Sequence, residues 1–128
     1  MEMKLNKETL EEVLRLYYSE LSNTECKVVV GTSVEYSEGR YNEVDEYYVV
    51  CAKITSTVEF CKGKINIPKI IKRKEIERVL NILAKDQLPS VDYFEYKISG
   101  REFEEVTIHS YKKEDKLEKV NKINRNNK

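Results

Sequence analysis

Leu10, Val13, Leu14, Tyr17 and Leu21 recur at i, i+3, i+4, i+7 and i+11, a single apolar stripe that predicts a helix. Asn6 stands where an N-cap belongs, and Leu5 and Leu10 hold the two positions of a hydrophobic staple. Glu8, Glu12, Arg15 and Ser19 make the opposite, solvated face. At Cys26 the period drops to two, with Val28, Val30, Thr32, Val34 and Tyr36 on one side of an extended run. The stretch "SEGRYNEV" is a loop, and a second extended run starts near Val44. One of its faces carries Tyr48, Val50, Ala52, Ile54, Ser56, Val58 and Phe60; the other carries Tyr47, Val49, Cys51, Lys53, Thr55, Thr57 and Glu59. A run of about 17 residues exceeds the usual strand length, which predicts a bend or bulge within it.

"CKGK" turns the chain into a short third strand, Lys64 to Ile67. A second helix takes its register from Ile76, Val79, Leu80 and Leu83. Extended backwards, that register would bury Lys69, Lys72 and Arg73, which is too costly for unpaired cations. The helix is therefore expected to start near Arg73, after an irregular "PKII" that anchors Ile70 and Ile71, and to end at "QLPS". Lys74, Arg78, Asn81 and Lys85 form its outward stripe. Two strands follow, "VDYFEYKIS" and "EFEEVTIHSY", joined by a tight Gly100-Arg101 turn. The expected fold is α+β in the order α-β-β-(β)-α-β-β: an antiparallel sheet of four to five strands, two helices on one face, and a basic C-terminal tail. Residues 1–112 form the single domain, and 113–128, with Leu117, Val120 and Ile123 as their only apolar anchors, are expected to be a frayed helix or disordered.

Charge changes this picture more than composition does. The 128 residues carry 23 basic and 23 acidic side chains, so no global electrostatic argument for nucleic acid or membrane arises. The charges are nevertheless segregated. Glu35, Glu38, Glu43, Asp45 and Glu46 face Arg40 alone, whereas Lys62, Lys64, Lys69, Lys72, Arg73, Lys74, Arg78 and Lys85 face only Glu75 and Glu77. Cys26, Cys51 and Cys61 follow no metal-ligand spacing, and their odd number fits poorly with a disulfide framework. No stretch has the length of a membrane span, and the N-terminus lacks the apolar core of a signal peptide, so a cytoplasmic protein is expected.

Candidate chemistry is sparse. The one histidine, His109, would be a general base oriented by Glu105 in an enzymatic reading, but no second histidine, serine elbow, phosphate loop or metal motif accompanies it. No cofactor and no metal are expected. With both helices on one face, the other face would present Val29, Tyr47, Val49, Cys51, Tyr93, Phe103, His109 and Tyr111, an aromatic-rich surface suited to self-association as a homodimer. The eight cations from Lys62 to Lys85 are the candidate surface for a protein partner with acidic surface, or for the acidic segment 35–46 of a neighbouring copy.

The helix-strand-strand-strand-helix order up to Leu83, with the start "KRKEIERVL", resembles double-stranded-RNA-binding domains over about two-thirds of the chain. That resemblance would make Lys72, Arg73 and Lys74 phosphate contacts. The loop "SEGRYNEV" lacks the family's histidine, the last two strands have no counterpart, and the first helix is acidic, so the chain is not assigned to that family. The function expected is that of a small non-enzymatic interaction protein, an inhibitor or accessory protein of a bacterial or phage system. Nucleic-acid binding through 62–78 and the tail is the alternative.

Overall fold

The computed structural model describes residues 1–39 and 44–111; the expected C-terminal tail lies outside the described residues. The elements are β1 (Glu2–Asn6), α1 (Lys7–Ser22), β2 (Cys26–Glu38), β3 (Val44–Phe60), β4 (Gly63–Lys72), α2 (Arg73–Ala84), β5 (Tyr93–Ser99) and β6 (Glu102–His109). The fold is α+β with antiparallel strands and two helices. The strands form two three-stranded sheets, β1-β6-β5 and β2-β3-β4, in place of one sheet of four to five.

The extra strand is β1. Met3 and Leu5 pair with Ile108 and Val106, more than a hundred residues away in sequence, so no local pattern announces the pairing. The chain then turns directly into α1, with Asn6 accepting the Thr9 N–H at 2.8 Å as the expected N-cap. Leu10, Leu14 and Tyr18 are buried, while Leu21, expected on the same stripe, is exposed in the last turn of α1, which ends one residue later at Ser22 and is capped by the left-handed Asn23.

β3 spans 17 residues as expected, but its ladders to β2 and β4 run without a register shift. The shift sits instead between β5 and β6, where Lys97 opposes Glu105 but Ile98 opposes Phe103, leaving Glu104 as the extra residue. β4 is longer than expected and takes in Pro68 and "PKII": Ile71 is buried, and Ile70 is exposed on the opposite face. α2 starts at Arg73, as the cost of burying Lys69 and Lys72 requires.

One core joins all of this. Leu5, Leu10, Leu14, Val30, Val50, Ile54, Ile71, Ile76, Leu80, Phe103, Val106 and Ile108 belong to a single buried cluster, so both sheets turn their inner faces to the two helices. The sheets also touch through Thr32, whose hydroxyl donates to the Arg101 carbonyl, and through Arg101 over the Tyr48 ring.

Candidate functional site

His109 sits on the outer face of β1-β6-β5 with both ring nitrogens facing carboxylates: Nε2 lies 2.9 Å from Glu95 and Nδ1 lies 3.7 Å from Glu2. The Tyr93 ring stacks on it at 4.3 Å, nearly parallel, and Tyr111 stacks on Tyr93. The expected partner Glu105 is not the orienting carboxylate. Glu95, brought across by the register Tyr93↔His109, takes that place. Among the described residues no group of His, Cys, Asp and Glu could hold a metal ion. The arrangement is a stacked cluster, with His109 half-buried beneath the exposed Tyr93 and Tyr111, that ties β1, β5 and β6 together.

The aromatic face expected for self-association is not one surface. Tyr47, Val49 and Cys51 lie on the outer side of β2-β3-β4, with Tyr47 donating to Glu35 at 3.1 Å. Tyr93, His109 and Tyr111 belong to the other sheet. Phe103 is a correction. It is 4% exposed and part of the core, because the extra residue Glu104 reverses the side-chain parity of β6. Val49 is buried too, and burial pushes the Cys51 thiol up despite a hydrogen bond from Ser33, the behaviour of an inert filler.

The eight cations are equally dispersed. Lys62 and Lys64 stand at the far turn of β4, and Lys72 stands at its other end, ten residues or roughly 33 Å of strand away. Several are engaged internally. Arg78 forks onto Glu75, which also accepts from the Tyr18 hydroxyl at 3.1 Å, and Lys69 lies 5.9 Å over the Tyr18 ring. Arg78 holds the Glu75 carboxyl below the usual carboxylate range. Arg73 reaches Glu77 at 4.0 Å. The cations that open the helix therefore share its first turn with Glu75, and Arg73 is met by Glu77 one turn on. Lys74 and Lys85 stay on the exposed stripe.

The surface that sequence reading missed lies where β3 and β4 outrun the rest of the molecule. β2 starts at Cys26 opposite Ser56, and α1 ends at Ser22, so from Thr57 to Asn66 the sheet is a two-stranded ribbon. On the face it shares with the core sit Val58, Phe60 and Ile65, followed at the ribbon's base by Ile67 opposite Ser56, each between 39% and 63% exposed. Val58 and Ile65 are direct cross-strand partners. The signal was present as the alternation in "VEFCKGKINI", but the extent of the overhang depends on where β2 and α1 stop. The ribbon closes through Cys61 and Lys62, both at positive φ, as a type I′ turn requires.

Edge chemistry limits how this ribbon can be used. Thr57 donates its N–H to Glu25, so odd residues of β3 bond toward β2 and even ones toward β4. On β4, Lys64, Asn66, Pro68, Ile70 and Lys72 consequently turn their backbone groups outward. Pro68 has no N–H to offer there, and lysines flank it, which protects the edge against strand addition. The β2 edge is covered: Glu11 accepts the Val30 N–H at 2.9 Å, and Thr32 binds Arg101.

At the opposite end of the sheet, residues 33–38 and 44–49 form a second two-stranded arm, beyond the Cys51↔Lys72 end of β4. It carries Glu35, Glu38, Asp45 and Glu46, no described Lys or Arg, and the exposed Val34, Tyr36 and Val44 on its inner face. A separate open groove of about 420 Å³ runs between α1 and α2, lined by Val13, Leu16, Tyr17, Leu80, Leu83 and Met3 among others.

Among the described residues no helix is long and apolar enough to cross a membrane. No known family, curated protein or solved structure matches the chain.

Proposed function

We propose that this is a non-enzymatic interaction protein that docks an acidic protein partner on the inner face of the β3–β4 ribbon. The observation that carries the reading is the set Val58, Phe60 and Ile65, uncovered on one face of a two-stranded overhang, continued by the exposed Ile67 at its base and bordered by Lys62 at the turn and Lys69 on the same face. An isolated ribbon is only marginally stable in water, so an apolar face held out on one is a liability unless something covers it. An apolar, aromatic-anchored centre with a charged rim is the usual anatomy of an interface. Pro68 and the flanking lysines favour docking on the face over pairing along the edge. A protein of this kind acts by occupying a partner's surface, as an inhibitor or accessory protein of a bacterial or phage system does. Its three free cysteines suit a reducing cytoplasm.

The test is affinity capture from the native host followed by titration with the purified partner. Phe60→Glu and Ile67→Glu place carboxylates on the face without touching the core. Each is expected to weaken binding by about 2 kcal/mol or more, in the range of interface anchors. A partner bound equally well by both variants overturns the reading. So does a log-linear fall of affinity for RNA or DNA with salt, which would make phosphate neutralisation the function.

A further inference from the structure

We infer that the acidic arm of a second copy of this chain is an occupant of the β3–β4 ribbon, so that the protein associates head to tail with itself. This rests on the ribbon being a docking face. β3 runs through both arms, 17 residues or roughly 56 Å end to end. One end carries Glu35, Glu38, Asp45 and Glu46 with exposed Val34, Tyr36 and Val44. The other carries Lys62 at the turn and Lys69 on the inner face, with exposed Val58, Phe60, Ile65 and Ile67, while Lys64 opposes Glu59 on the outer face. The two arms are therefore complementary in charge, and both present apolar residues on the inner face. The chemistry that recognises the ribbon is already on the chain.

The helices decide the geometry of association. α1 and α2 cover the middle of the inner face between the two arms. A reciprocal exchange would have to place two helix layers, each roughly 10 Å thick, between the facing sheets. The arms of two copies consequently meet one pair at a time, a heterologous contact that leaves an arm exposed at each end for the next copy. Its charged rim is exposed, so salt screens it.

Sedimentation velocity on the full chain tests this, with two charge-reversed variants. Lys62→Glu/Lys64→Glu makes both arms acidic, and Glu38→Lys/Glu46→Lys makes the inner face of the acidic arm basic, since Glu35 and Asp45 lie on its outer face. The wild type is expected to gain average mass as concentration rises through the micromolar range, and to lose it in high salt. Each variant alone should associate at least tenfold more weakly, and the equimolar mixture should associate again, because it restores opposite charges at the contact. Maleimide labelling of Cys61, exposed at the ribbon turn, should slow under the associating conditions. All four reversed positions are on exposed residues, and unchanged circular dichroism and melting confirm folding.

A wild type that stays monomeric at low salt, association that survives both reversals, or a mixture that fails to associate overturns the inference. These failures are separable from failure of the docking reading. Glu38→Lys/Glu46→Lys leaves the ribbon intact and would still bind a heterologous partner with wild-type affinity, whereas Phe60→Glu would not.

Discussion

The ribbon's turn offers the sharpest test of the structure. Phe60 pairs with Gly63, so Cys61 and Lys62 alone make the turn, with φ of 48° and 69°. For residues with a Cβ the left-handed region costs roughly 1–2 kcal/mol each. Asn tolerates that region and Gly enters it without steric cost, which is why Asn-Gly is the favoured type I′ pair. Replacing Cys61-Lys62 by Asn-Gly removes most of the strain but adds the unfolded-state freedom of a glycine, roughly 0.5–1 kcal/mol in the other direction. The net expectation is stabilisation by about 1 kcal/mol, around fivefold in an opening equilibrium. Because the ribbon projects beyond the three-stranded part of the sheet, it is expected to open without global unfolding. Amide exchange at Val58, Phe60 and Ile65 is the direct assay, and a urea midpoint is the second. Exchange should slow about fivefold and the midpoint should rise; Cys61→Asn alone should give part of the effect with Lys62 kept. Unchanged or faster exchange together with an unchanged midpoint would refute the left-handed turn.

Other measurements probe the remainder of the structure. Phe103→Ala should cost about 3–5 kcal/mol by urea denaturation, as a large core truncation, whereas Phe60→Ala should cost little stability and instead weaken partner binding. Glu11→Ala leaves the Val30 N–H without its side-chain acceptor and should cost about 1–2 kcal/mol, with faster exchange of that amide. Burial, then the Glu75 charge and hydrogen bond, push Tyr18 up to about 12, and burial with Glu77 pushes Tyr96 up as well. An unfolded tyrosine ionises near 10, so the unfolded chain gives up its protons first. Stability present below pH 10 should therefore fall as pH rises through 12, and Tyr18→Phe/Tyr96→Phe should flatten that fall in urea midpoints. Glu75, held low by Arg78, works in the opposite direction: its contribution is present at neutral pH and disappears as pH falls below the usual carboxylate range, a loss that Glu75→Gln should remove.

Much of the fold was legible because it is locally encoded. The Asn6 cap, the starts of α1 and α2, the long β2 and β3 runs and the Gly100 turn all follow from spacing within a few residues. The start of α2 was legible by exclusion, since a longer helix would have buried Lys69, Lys72 and Arg73. The candidate site was less so. Charge segregation identified both ends of the sheet, but the cations read as one patch are spread along β4 and partly neutralised within α2. The expected aromatic face mixed residues of two sheets with Phe103, a core residue.

The periodicities, the caps and the charge segregation are properties of the residues in order and are read from them directly. Tertiary structure decided the rest. Pairing of β1 with β6 brings together the two ends of the described chain and makes the β5–β6 hairpin a three-stranded sheet separate from β2-β3-β4. A single extra residue, Glu104, reverses which side of β6 faces inward and takes Phe103 from surface to core. The ends of α1 and β2 leave Val58, Phe60, Ile65 and Ile67 uncovered on a ribbon whose alternating pattern reads like any buried strand. Apolar periodicity says which residues share a face; only the lengths of the neighbouring elements in space say whether that face is covered.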